Sequence, residues 1–105
     1  ILKFMLHISS EEQRERLQER INNKTKHWKF AIGDIESRKQ WKPYQNAYAA
    51  LLNATSTHTA PWTVVPANSK VHRNLMIATL LRDALRKLNL RFPPSDPALK
   101  GLIIK

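Results

Sequence analysis

The sequence predicts an α/β fold, mostly helical and built on two short parallel strands. Three observations predict it. Two short apolar runs, at residues 1–8 and 62–66, read as strands. A long helical stretch separates them, the kind of crossover that parallel strands need and a tight hairpin lacks. A further amphipathic helix follows the second strand almost at once.

Taken in order, Ile-Leu-Lys-Phe-Met-Leu-His-Ile at 1–8 is too short for a buried helix and reads as a strand covered on both faces. Ser9-Ser10-Glu11-Glu12-Gln13 marks a helix start. Ser9 with Glu12, or Ser10 with Gln13, fits a capping box, and the acidic pair suits the positive helix end. This helix should reach about Ile21, with Leu17 and Ile21 as a thin apolar stripe. Arg16 and Arg20 share one face, four residues apart, where like charges repel by a few tenths of a kcal/mol. Two readings stay open from spacing alone: a solvated basic face offset by Glu12 and Glu19, or two guanidiniums forking onto an anion between them.

Residues 22–33 carry loop chemistry. Trp28 and Phe30 are expected to anchor the loop by packing inward, with stacking on a base as the alternative. A second helix is predicted from about Asp34 to Ala54. Trp41, Tyr44, Tyr48 and Leu51 give it a buried stripe, and Pro43 must kink it or divide it near Trp41. Arg38 continues that stripe, where a cation either snorkels outward or meets a buried anion.

Residues 55–61 form a polar turn, and Trp62-Thr63-Val64-Val65, closed by Pro66, is the second strand. Asn68 or Ser69 caps the last long helix, at about 70–88. Its stripe holds Val71, Leu75, Ala78, Leu81 or Leu85, and Leu88, widened by Ile77, Leu80 and Ala84; Arg86 and Lys87 suit its negative end. Pro93-Pro94 cannot stay helical. The tail, 90–105, ends in an apolar patch, Leu102-Ile103-Ile104, suited to docking on the body or on a partner.

Eighteen lysines and arginines against eight acids give a net charge of +10. That points to a polyanion: nucleic acid, a nucleotide, polyphosphate or an anionic membrane surface. A basic surface that is merely solvated is the bland alternative. A 42% hydrophobic chain with only two glycines is not a disordered one, and its length allows one domain at most. Without cysteine there is no disulfide scaffold and no thiolate metal site, which fits the reducing cytoplasm where we expect the protein. No apolar run reaches the roughly 18 residues of a membrane span. The opening run lacks a basic leader and a small-residue cleavage site, so we do not expect a signal peptide. It also starts without methionine inside an apolar run, so a piece of a longer protein is expected.

Catalytic signatures are missing from these residues. Two isolated glycines cannot form a phosphate loop. The histidines at 7, 27, 58 and 72 lack metal-ligand spacing, and the Ser/Thr cluster at 55–59 has no orienting acid nearby. What remains is positive charge and positioning, the main protein contributions to phosphoryl transfer.

An ordered set of segments carries a family resemblance. Leu-His-Ile-Ser-Ser-Glu-Glu-Gln at 6–13, Glu-Arg at 19–20, Trp-Lys-Phe at 28–30, Asp34, Arg38, Trp41 and Tyr44 are followed by Thr-Ser-Thr at 55–57, Ala-Pro-Trp at 60–62, Asn-Ser-Lys at 68–70, Arg73, and Arg-Phe-Pro-Pro-Ser-Asp-Pro at 91–97. Together they resemble the C-terminal half of the polyphosphate kinase 2 family. The resemblance implies the C-terminal part of a P-loop kinase-like parallel-sheet domain, with a helical lid at about 14–41 and a final strand and helix at about 62–89. It implies phosphoryl transfer between polyphosphate and a nucleoside mono- or diphosphate, with magnesium bound mainly by an N-terminal half that also carries the Walker A loop. These residues alone are then expected to be inactive, and to associate with that half or as a homo-oligomer. Arg16, Arg20, Lys29 and Arg38 resemble phosphate-binding lid positions, and Lys70 and Arg73 resemble possible phosphate contacts at the start of the last helix. Ala31 departs from the serine that often caps the lid helix, which leaves the start of that helix unexplained. A non-enzymatic nucleic-acid-binding module is the alternative, resting on charge interleaved with Trp28, Phe30 and Trp41.

Overall fold

The structure, a computed structural model, describes residues 1–104. Strands β1 (Lys3–His7) and β2 (Trp62–Pro66) pair in parallel, with Lys3 opposite Trp62 and His7 opposite Pro66. Between them run α1 (Ser10–Asn22), a 3-10 helix (Lys24–Lys29), α2 (Gly33–Lys39) and α3 (Trp41–Thr55). Helix α4 (Lys70–Lys87) follows β2, and a short 3-10 helix (Pro97–Leu99) lies in the tail.

The helix boundaries follow from local chemistry. Ser9 caps α1 by accepting from the Glu12 N–H at 3.1 Å, but Glu12 does not complete the box; its carboxylate turns to Arg16 instead. Ser69, not Asn68, caps α4 by accepting from the His72 N–H. The predicted single helix from Asp34 to Ala54 is two helices. The break falls at Gln40, and Pro43 then occupies the first turn of α3, where a missing N–H costs no helical bond. With alanine at position 31, α2 starts without a side-chain cap, and Asp34 in its first turn accepts from the Ala31 N–H at 3.1 Å.

A clamp at the amino end of the sheet fixes where α3 stops. Lys3 donates to the Thr55 carbonyl at 2.7 Å and lies over the Trp62 ring. The Trp62 indole N–H donates to the Thr55 hydroxyl at 2.8 Å, and the Trp62 backbone N–H to the Ser56 hydroxyl. The 55–59 cluster is therefore a structural connection on the edge away from the carboxyl ends of the strands.

The predicted stripes align on their helices but are not buried. Among the described residues only Val65 and Ala67 are buried apolar groups. Tyr44, Tyr48 and Leu51 of α3 are about half exposed, and β1 is not covered on both faces, since Leu6 is open as well. On α4 the covered line is Ile77, Leu80 and Ala84, while Val71, Leu75 and Leu88 face outward. The apolar patch of the tail is likewise exposed. The radius of gyration is 22.2 Å, against about 13 Å for a compact chain of this length. The accessible surface, 9080 Å², is roughly half as much again as a folded monomer of 12.2 kDa exposes.

A chain with so small a core should not melt cooperatively as a monomer. We expect these 105 residues, expressed by themselves, to self-associate in sedimentation experiments. A monomer with a sharp thermal transition would contradict this.

Candidate anion-binding site

The carboxyl ends of both strands meet at one edge, the place where open parallel sheets bind ligands. A set of hydrogen bonds locks the two loops there. Ala67 donates its N–H to the His7 carbonyl at 2.8 Å. The Ser9 N–H donates to the Asn68 side-chain oxygen at 2.9 Å, and the Asn68 amide returns a bond to the Ser9 hydroxyl at 3.2 Å. Arg16 closes the set: its Nη2 donates to the carbonyls of Ala67 and Asn68 at 2.8 and 3.0 Å, while its Nε is held by Glu12 at 2.6 Å. Carbonyls left unpaired beside the buried Ala67 would be costly, and a guanidinium with five donors serves two of them and a carboxylate at once. A cleft of about 360 Å³ opens beside this lock, between His7, Asn68, Ser69 and His72.

A second cationic group forms at the far end of α1. Lys26 of the 3-10 helix bonds to Glu19 and holds that carboxyl below its ordinary range; Lys70, at the start of α4, and Arg20 add to the same effect. Arg20 Nη1 also donates to the Lys29 carbonyl at 3.2 Å. The 3-10 helix is fixed by Asn23, which accepts from the Thr25 N–H and hydroxyl at 3.0 and 2.7 Å, and by a 2.7 Å contact between His27 Nε2 and the Ile21 carbonyl. Three cations from three elements, Lys26, Lys70 and Arg20, thus act on one carboxylate.

The predicted site residues therefore fall into four places. Arg20 and Lys70 lie near Glu19, and Lys29 is tied to Arg20 through its carbonyl while its ammonium lies over Trp28. Arg16 sits at the lock between the strand ends. Arg38 lies by the first turn of α1, where it donates to the Ser10 carbonyl at 2.7 Å and to Gln13 Oε1 at 3.0 Å. It meets neutral oxygens there, not a buried anion, though with Arg14 it also lowers the Glu11 carboxyl. Arg73 is half-buried and forks onto the neighbouring Asn74 amide. Sequence reasoning missed Lys26, because α1 ends between it and its partner Glu19, seven residues earlier, so no helical spacing links them. It also misplaced Trp28. That ring does not pack inward but is 79% exposed, with Lys29 Nζ 4.8 Å from its centroid. Phe30 is half-buried and lines an apolar cleft with Ile21, Ile32 and Ile35. Among the described residues no group of three or more His, Asp or Glu could hold a metal ion, and no helix is long and apolar enough to cross a membrane.

The family model of Polyphosphate kinase 2 (PPK2) matches residues 1–93. The chain belongs to the polyphosphate kinase 2 family. Over all 105 residues it is 47% identical to an AMP/ADP-polyphosphate phosphotransferase of Meiothermus ruber and 38% identical to an ADP-polyphosphate phosphotransferase of Rhodopseudomonas palustris. It spans 39% and 36% of their lengths. The crystal structure of polyphosphate kinase 2 from Arthrobacter aurescens superposes with a TM-score of 0.88 at 43% identity, covering 95% of this chain and 37% of that one. The two parallel strands and their helices are thus part of a P-loop kinase-like fold, as the sequence led us to expect.

Within this polyphosphate kinase 2 chain two contacts yield measurable consequences. Glu19 has its carboxyl depressed, so its hold on the 3-10 helix is present above its ordinary value of 4.5 and is lost as pH falls through the lower folded value. Amide exchange across Lys24–Lys29 should therefore accelerate in acid beyond its intrinsic pH dependence, and Glu19→Gln should abolish that extra response. Asn68→Ala should speed exchange of the Ser9 amide by roughly fivefold, equivalent to about 1 kcal/mol for one hydrogen bond. An unchanged rate would mean the lock is held by Arg16 alone.

Proposed function

We propose that this chain is the basic side of an enzyme that transfers a phosphoryl group between inorganic polyphosphate and a nucleoside mono- or diphosphate, acting in the cytoplasm. The observation that carries the reading is the gathering of Arg20, Lys26 and Lys70 near the single carboxylate of Glu19, with the Lys29 backbone tied to Arg20. One carboxylate cannot neutralise three cations, so the cluster attracts a further anion with several charges. The names of the relatives supply the kind of anion: the proteins from Meiothermus ruber and Rhodopseudomonas palustris are called polyphosphate phosphotransferases.

In this reading residues 14–41 are a lid. Arg20 and Lys29 contact the phosphates, and Lys70 approaches them from α4. Arg16 serves twice, since Nη2 and Nε hold the strand-end lock and Nη1 is left for the substrate. Arg38 sets the lid's pose through the first turn of α1, and Arg73 supports the start of α4. Phosphoryl transfer asks mainly for positioning and for charge aimed at the oxygens of the moving group, and preorganised cations supply both. Magnesium belongs to this reading as a neutraliser of phosphate charge. The described residues do not form a site for it, and it would be bound elsewhere in the protein. The exposed faces of α3 and α4 are where the rest of the enzyme, or a second copy, would complete the core.

The test is nucleotide phosphorylation from polyphosphate by the intact protein. Arg20→Ala and Lys29→Ala should each lower kcat/KM by about 10²-fold, the usual cost of one charged contact to a transition state. Arg38→Ala should reduce the rate as well, while Arg82→Ala, on the distant part of α4, should not. Unchanged rates in the Arg20 and Lys29 variants would sink the assignment. Tighter retention of single-stranded RNA than of polyphosphate at matched charge would favour a nucleic-acid-binding module instead.

A further inference from the structure

We infer that Trp28 is a positioning residue for Lys29: its exposed indole face holds the ammonium group where polyphosphate is gripped. The inference rests on the proposed function.

The 3-10 helix that carries Trp28 is built without it. Asn23 caps the helix, Lys26 ties it to Glu19, His27 reaches the Ile21 carbonyl and Arg20 holds the Lys29 carbonyl. Phe30, not Trp28, supplies the inward apolar contact. The largest side chain of the segment is thus left 79% exposed, although burying it would be favourable. Its contact is the neighbouring ammonium, 4.8 Å from the ring centroid and well inside the range of a cation–π attraction.

A lysine on a free four-carbon stem samples many rotamers, and binding must quench that freedom. Two restraints already act on Lys29. The Arg20 bond fixes its backbone, and the Trp28 face limits where its ammonium travels. Both leave the ammonium's N–H donors free for phosphate oxygens, because a ring face takes none of them in a conventional hydrogen bond. Trp28 therefore presets a cation without neutralising it, which a carboxylate partner in the same place would do.

Kinetics of the intact protein test this. Trp28→Leu should raise the KM for polyphosphate by about two- to fivefold, the worth of an exposed cation–π contact, and leave the KM for the nucleotide unchanged. Trp28→Tyr, which keeps a ring face, should recover most of the loss. In a Lys29→Ala background the Trp28→Leu change should cost nothing further, because the two residues act as one unit. Circular dichroism of the variants should match the parent. An additive loss in the Lys29→Ala background overturns the inference, as does a loss confined to the nucleotide KM, which would make Trp28 a base-stacking platform. In both cases the parent enzyme still works, so the function proposed above survives. A parent protein that neither binds nor uses polyphosphate overturns both.

Discussion

The lock between Ser9, Asn68 and Arg16 is the contact on which the rest of this structure depends. Two parallel strands by themselves fix little, because an isolated pair has a small area and two open edges. What makes the pair a platform is that the loops leaving it are tied to one another at their first residues. Asn68 serves Ser9 twice, and Arg16 collects the carbonyls of Ala67 and Asn68. Helices α1 and α4 therefore leave the sheet at a set relative angle. Everything cationic that follows is placed by that angle: Arg20 and Lys26 along α1 and its continuation, Lys70 at the head of α4.

The same design explains why so little of the chain is buried. Its ties are polar and lie at loop ends, so they need no thick core between the helices. Val65 and Ala67 fill the small space inside, and the long apolar faces of α3 and α4 stay open. Those faces are regular, at helical spacing and rich in leucine and tyrosine, the mark of surfaces made to be covered.

Charge is distributed with economy. Half of the acids are committed to a particular cation nearby: Glu11 to Arg14, Glu12 to Arg16, Glu36 to Lys39, Asp83 to Arg82. The exposed pairs among them, all but Glu12–Arg16, contribute little stability. At the end of α1 Glu19 faces several cations at once, and at the neighbouring tip the Lys29 ammonium lies over Trp28 rather than on a carboxylate.

By itself the sequence determined the local features. Strand positions, helix starts to within a residue (Ser9 or Ser10, Asn68 or Ser69) and a kink or break near Trp41 follow from hydrogen-bonding caps, fixed proline geometry and short β-branched runs, all of which act within a few residues. The family motifs were legible for the same reason, as ordered residue types along the chain. The tertiary structure alone decided which groups meet across long separations. Nothing in the spacing of Arg16 shows that it binds carbonyls 51 and 52 residues away, or that Asn68 leaves the cap to Ser69 and reaches back to Ser9. Nor could periodicity say which helical faces are covered, because an apolar stripe looks the same whether its partner lies in these residues or elsewhere. Trp28 shows the limit most plainly. An aromatic residue in a basic loop reads as an anchor until the loop's own polar ties are seen to hold it without help.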